Sequence, residues 1–320
     1  MARAFSDEVV SSTWRAQVEE WLATQLSGHT ILDVRQTRVR PWSTQLTVDT
    51  DQGRLWFKAL PPGAAHEAAL HTLAAELAPD HVDAPVAVDP ARGWILTADH
   101  GPSWRDDGAI STQDWQWLMI EVVGFQQHLT PHREALLATG LPDCRPTKTA
   151  ELYDRFVTTF AELEPGHPCH LDAAAAAALR DHRPIIADAA DRLADSALPV
   201  TVNHGDLHPG NVHDSSRGAR LFDFGDAQWA HACETLAVPR GVICSRADGP
   251  VEWKPVLAAY AAAWELRVAD VADDVAAAWT TQAVHRCLTW WRALSSASPG
   301  EWRAWGHQPV HHLRRAVGDA

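Results

Sequence analysis

The chain has 320 residues, of which 46% are apolar and 21% charged, and a formal net charge of −14. That length fits one large or two modest domains with a sizeable core, and sixteen tryptophans exclude a disordered chain. The negative balance argues against a nucleic-acid backbone or an anionic membrane surface as partner and leaves room for a cationic small molecule, although most of it reads as solubility.

Residues 12–26 place Trp14, Val18, Leu22 and Leu26 at helical spacing. ILDVRQTRVR then alternates, PWST breaks the pattern, and QLTVDT alternates again. DTDQG reads as a hairpin turn, with RLWFKAL as the return strand. After PPG, AAHEAALHTLAAELA is an amphipathic helix ending near Pro79. APVAVD and GWILTA are short strands joined at DPARG, so residues 29–98 predict three strands, a helix and two strands. Beyond Gly101 the pattern turns helical, in TQDWQWLMIEVVGFQQHL, KTAELYDRFVTTFAEL and DAAAAAALRDHRPIIADAADRLAD, and again from about 252 to 317. The expected boundary lies near 97–103, between an N-terminal lobe of residues 1–100 and a helical C-terminal lobe of residues 101–320.

The five cysteines form no C-x-x-C pair, which predicts free, mostly buried thiols in a reducing cytoplasm. The first ten residues have no apolar core of a signal peptide, and no run of 18 apolar residues predicts a membrane span.

The segment TVNHGDLHPGNVHDSSRGARLFDFGDAQW carries the chemistry. It contains both asparagines of the whole chain, Asn203 and Asn211. PVTV enters as a strand, HGDLHPGN is a loop because Pro209 and Gly210 break helices, and NVH with ARLFDF forms a hairpin around DSSRG. Asp206, Asn211 and Asp223 then meet at strand ends, and three oxygen-bearing side chains suit Mg²⁺ shared with substrate phosphates. Asp, four residues, Asn, then Asp-Phe-Gly is the spacing of a kinase catalytic loop. There the first aspartate takes the proton of the attacking hydroxyl, and the other two residues hold the metal. Lys58, one of three lysines in the chain, lies on the third strand, and Glu67 follows in the next helix with an inward-facing position.

These motifs, HGDLHPGN with LFDFGDA, WFKAL with HEAAL, and GWILT before a hinge, resemble the aminoglycoside phosphotransferases and their choline-kinase and macrolide-kinase relatives. The resemblance covers roughly residues 30–235. It implies an α+β, two-lobed protein-kinase-like fold, with a small N-terminal antiparallel sheet plus helix and a larger, mostly helical C-terminal lobe. It also implies ATP, with GTP as the alternative, together with Mg²⁺ in the cleft. Thr97, Ala98, Asp99 and His100 would be the hinge whose backbone meets the base. Ser43 and Thr44 would face the phosphates. The first hairpin lacks G-x-G-x-x-G and there is no A-P-E segment, which points away from protein substrates.

Each motif residue has a plainer reading. Asp206 is also a turn-capping type, Asn211 a left-handed turn residue, Asp223 a partner for Arg220, and Glu67 a solvated helix residue. The coincidence of the motifs favours the catalytic reading. His204 is expected to brace the loop, and His208 either approaches the acceptor hydroxyl or packs. Asp226 and Glu234 either bind an amine of the acceptor or lie at the surface. Trp253, Trp279, Trp290 and Trp291 are mainly core candidates, with one or two facing substrate. The expected function is transfer of a γ-phosphate to a hydroxyl of a small molecule, an aminoglycoside-like compound, amino sugar or amino alcohol. Choline, macrolide or homoserine kinases and an idle nucleotide-binding module are the rivals.

Overall fold

Alternation decides the front of the molecule. The computed structural model describes residues 3–106, 110–215, 218–245 and 251–319. Two helices, α1 (Phe5–Glu8) and α2 (Ser12–Gln25), precede strands β1 (Ile31–Arg40), β2 (Ser43–Thr50) and β3 (Gly53–Ala59). Helix α3 (His66–Leu77) leads to β4 (Ala87–Asp89) and β5 (Trp94–Ala98). The five strands form one antiparallel sheet in the order β1-β2-β3-β5-β4. Because side chains alternate across a strand, Leu46, Val48, Phe57, Trp94 and Leu96 all reach one face. There they bury against Trp14, Val18, Trp21 and Leu22 of α2. Each such side chain contributes about 1.5–3 kcal/mol, and the rings of Trp21 and Trp94 meet edge-on at 5.7 Å. Ser11 starts α2 by accepting from the Trp14 amide. With its back face covered, the sheet turns Gln45, Lys58, Ile95 and Thr97 to the other side.

The C-terminal lobe is helical: α4 (Thr112–Leu129), α5 (Arg133–Ala138), α6 (Thr149–Ala161), α7 (Ala173–Asp181) and α8 (Arg183–Ala194) come before the motif segment. Short strands β6 (Val200–Asn203), β7 (Val212–Ser215), β8 (Gly218–Leu221) and β9 (Gln228–His231) follow. Then come α9 (Ala237–Cys244), α10 (Trp253–Ala263), α11 (Val268–Ala293), α12 (Pro299–Trp305) and α13 (Gln308–Arg315). The expected hairpin is β7–β8, and residues 216–217 of its turn lie outside the described residues. The alanine-rich stretch expected to be helical is two helices, because Pro184 suits a first turn and not an interior. α3 does more than cover its own sheet. Its Leu70, Ala74 and Ala75 enter the main core of α4, α10 and β6–β9, tying the lobes together. Among the described residues no helix is long and apolar enough to cross a membrane. Cys144, Cys169, Cys233 and Cys287 are buried free thiols, whereas Cys244 is exposed.

Candidate active site

Between the lobes lies a cleft of about 660 Å³. Lys58 reaches it from β3, in register with Gln45 and Ile95. Its Nζ lies 2.7 Å from both carboxylate oxygens of Glu67 and 2.7 Å from Asp223 Oδ1, across 165 residues of chain. Burial opposes the Lys58 charge, but Asp223 and Glu67 outweigh it and hold the ammonium above its ordinary pKa. Glu67 stands in the first turn of α3, 2% exposed. Burial pushes its carboxyl up to about 7 while Lys58 pulls it back. A Cβ on Gly225 would come within 2.9 Å of Glu67 Oε2, so only glycine leaves this carboxylate its place.

Asp223 follows β8 with φ +65°, a left-handed conformation that costs a non-glycine residue about 1–3 kcal/mol. Phe224 anchors the turn, fully buried and in ring contact with His71, Phe125 and His204. Burial disfavours the Asp223 charge, yet Lys58 keeps its pKa below the usual value.

The loop after β6 is braced as expected. His204 Nε2 meets the Phe222 carbonyl at 2.9 Å, which links the His-Gly-Asp turn to the Asp-Phe-Gly turn. Gly205 has φ +79°, and a Cβ there would sit 2.0 Å from the Asp226 carbonyl, so no other residue fits. Asp206 then points into the cleft. Asn211 Nδ2 donates to its carbonyl at 2.9 Å. His208 Nδ1 accepts from the Gly210 amide and from Arg105, both at 3.0 Å. The His208 proton therefore sits on Nε2, which faces Asp206 Oδ2 at 3.3 Å. Burial would raise the Asp206 pKa, but this contact and then the Arg286 charge bring it down to about 2.

The donor set fits a hard cation. Asn211 spends its amide nitrogen on Asp206, leaving its carbonyl oxygen without a partner among the described residues, and Asp223 Oδ2 is likewise uncommitted. Two oxygens of these types, beside a carboxylate, suit Mg²⁺.

Thr97, Ala98, Asp99 and His100 line one end of the cleft, and Ser43 lines its roof. Thr44 does not. It shares the covered face of β2 with Leu46, and its hydroxyl donates to the Arg38 carbonyl at 2.8 Å, because adjacent strand residues point to opposite faces. Glu234 is also elsewhere. It is 1% exposed and accepts from Thr281 Oγ1 and His285 Nδ1 at 2.7 Å each, bracing α11 against the segment after β9. Asp226 does reach the cleft, but Arg286 of α11 ion-pairs with it. Burial raises the Asp226 pKa.

Of the four tryptophans, Trp290 lines the cleft, edge-on to Trp42 at 5.4 Å. Trp279 lies under Arg240 and Arg315, Trp291 packs on Phe160 and Trp302, and Trp253 joins the main core. Sequence reasoning missed Arg286, which bonds the Gly205 carbonyl at 3.1 Å and approaches Asp206 Oδ1 at 3.4 Å. Its only signal was a cleft-facing stripe, Arg286, Thr289, Trp290 and Ala293, at i, i+3, i+4 and i+7 of one helix.

Residues 42–279 match the sequence profile described as the phosphotransferase enzyme family. No curated protein sequence matches the chain. Among solved structures, the GDP complex of an aminoglycoside 2'-phosphotransferase superposes with TM-score 0.59 at 15% identity, covering 95% of this chain and 98% of that one. An ethanolamine kinase of Plasmodium vivax gives 0.65 at 10% identity, covering 96% and 91%. A choline kinase of Streptococcus pneumoniae gives 0.54 at 15%, covering 96% and 99%. At these identities the likeness is one of fold.

Proposed function

The chain belongs to the phosphotransferase enzyme family, and from that premise we propose that it moves the γ-phosphate of a Mg²⁺-bound nucleoside triphosphate, ATP or GTP, to a hydroxyl of a small molecule. One observation carries the reading: Lys58, Glu67 and Asp223 lock together at 2.7 Å in the same cleft that Asp206 and Asn211 line.

Each residue has a role that follows from its chemistry. Thr97, Ala98, Asp99 and His100 border the base, and Ser43 covers the phosphates. Lys58 offers a compact ammonium to the phosphates, and Glu67 fixes its direction. Asn211 and Asp223 would hold Mg²⁺, which when bound neutralises phosphate charge. Asp206 orients the acceptor hydroxyl. As the acceptor oxygen forms its bond to γ-phosphorus, the bond to the nucleoside diphosphate oxygen breaks, and the hydroxyl proton passes to Asp206. His208 and Arg286 hold that carboxylate in place. His208 and Arg286 keep that carboxylate ionised, and alignment and charge stabilisation carry most of the rate.

The acceptor class is the open choice. The net charge of −14 leans toward amino sugars, amino alcohols or aminoglycoside-like compounds, whereas the cleft walls around Arg286 and Arg292 lean the other way. The test is nucleotide diphosphate release from Mg·ATP over a panel of aminoglycosides, macrolides, choline-like alcohols, amino sugars and homoserine. Acceptor-dependent release that disappears in Asp206→Asn is expected. Release that is indifferent to Asp206 would remove the reading.

A further inference from the structure

The acidity of the whole chain does not describe the end of the cleft away from the hinge. That end is walled by α11, with the loop at Gly63 and Ala64 and the start of α3 opposite. Two arginines of α11 reach it, and they differ. Arg286 is committed to Asp226, Asp206 and the Gly205 carbonyl. Arg292 donates Nε to the Gly63 carbonyl at 2.9 Å, and among the described residues no carboxylate lies within 4.0 Å of it. Burial lowers its pKa from the usual 12.5, yet a guanidinium remains protonated. It is therefore a half-buried cation on the cleft wall whose charge the protein leaves uncompensated, an arrangement that costs free energy unless an anion arrives.

His66 is a second, independent sign. It lines the same cleft, is 7% exposed, and neither ring nitrogen has a hydrogen-bond partner. Burial, then Arg292, then Lys58 hold its pKa down to about 3, so it is a neutral ring with an unused N–H. Buried polar groups are rarely left unpaired without a purpose. The acids lining the cleft offer a polyamine little at this end: Asp226 is tied to Arg286, Asp206 to His208 and Arg286, Glu67 and Asp223 to Lys58, and Asp83, Asp99 and Asp106 belong to the hinge end.

We propose that Arg292, with His66 beside it, seats an anionic group of the acceptor, so that the substrate is an alcohol bearing a carboxylate or a phosphate. The inference rests on the phosphotransferase reading above. Arg292 stands six residues from Arg286, roughly 9 Å further along the helix axis, so the anionic group would sit apart from the Asp206 carboxylate.

Calorimetric titration of the protein saturated with Mg·ADP tests it, using D-gluconate, glucose 6-phosphate, glucose and kanamycin as probes. One or both anions should bind saturably and at least tenfold more tightly than glucose, and which of them wins tells carboxylate from phosphate. Arg292→Gln should lose at least tenfold of anion affinity while its Mg·ADP affinity stays within twofold, and Arg292→Lys should keep part of the anion binding. Melting curves of both variants check that the contact to Gly63 is not needed for folding. Kanamycin binding ahead of both anions, no saturable anion binding, or equal binding by Arg292→Gln overturns the proposal and leaves the phosphotransferase reading standing. Absence of Mg·ADP binding by the wild type overturns both.

Discussion

Replacing Lys58 by methionine isolates the centre of the cleft, because it removes one ammonium and keeps the length of the side chain. In the native protein three carboxylate oxygens lie 2.7 Å from that nitrogen. Without it, Glu67 is a carboxylate 2% exposed to solvent with no cation, and its escape is to bind a proton. Burial already holds that carboxyl at about 7 with Lys58 beside it, and removing the ammonium raises it further. At pH 5 the carboxyl is protonated in both proteins and contributes no difference between them. The sign follows from a raised carboxyl pKa: stability is full below 4.5 and is lost as the pH rises. Above pH 7 the wild-type carboxyl gives up its proton while that of Lys58→Met keeps it, so the stability gap between the two should widen from pH 7 to pH 8 by up to about 1.4 kcal/mol, read from urea unfolding at the two pH values. Titration with Mg·ATP gives the second readout. Losing a charged hydrogen bond to phosphate, worth about 1.5–3 kcal/mol, should weaken binding roughly 10- to 150-fold. A gap equal at both pH values, together with unchanged nucleotide affinity, would refute the placement of Lys58 between Glu67 and the phosphates.

Three further outcomes are expected. Asp206→Asn should bind Mg·ATP within a few-fold of wild type and lose about 10²–10⁴ in turnover, measured by coupled diphosphate release once an acceptor is in hand. Asn211→Ala should raise the Mg²⁺ concentration needed for half-maximal nucleotide binding at least tenfold, while Mg²⁺-free nucleotide binding stays near that of the wild type. His66 and His71 are held neutral by burial, with pKa values near 3 and 4 against an ordinary 6.5. Their stability contribution is complete above 6.5 and is lost as pH falls toward those values, at up to about 1.4 kcal/mol per pH unit for each. Unfolding free energies at pH 6.5 and 5.5 check this, and His71→Gln should remove about half of the two-histidine slope.

What the sequence determined by itself is local. Alternation in residues 31–59 and helical spacing in 12–26, 66–77 and 112–129 come from backbone geometry acting over a few residues, and the observed elements follow those patterns. The inward aim of Glu67 was legible for the same reason, since Leu70 and Ala74 share its helix face. The spacing of Asp206, Asn211 and Asp223 in one short segment made their convergence readable from the sequence. The tertiary structure decided the rest. Thr44 and Glu234 were misplaced because a strand's register and a loop's packing choose which neighbour faces the cleft. Thr44 falls on the covered face, one residue from the cleft-lining Ser43. Arg286 and Arg292 stayed silent because no motif surrounds them, and His66, although it opens HEAAL, gave no sign of the cleft it lines. α11 approaches the catalytic loop only after some 80 intervening residues have packed, and Arg292 meets Gly63 across 229. A charge that far away in sequence has no local pattern to announce it. Only the folded chain shows whether it is paired, as Arg286 is, or left facing the cleft, as Arg292 is.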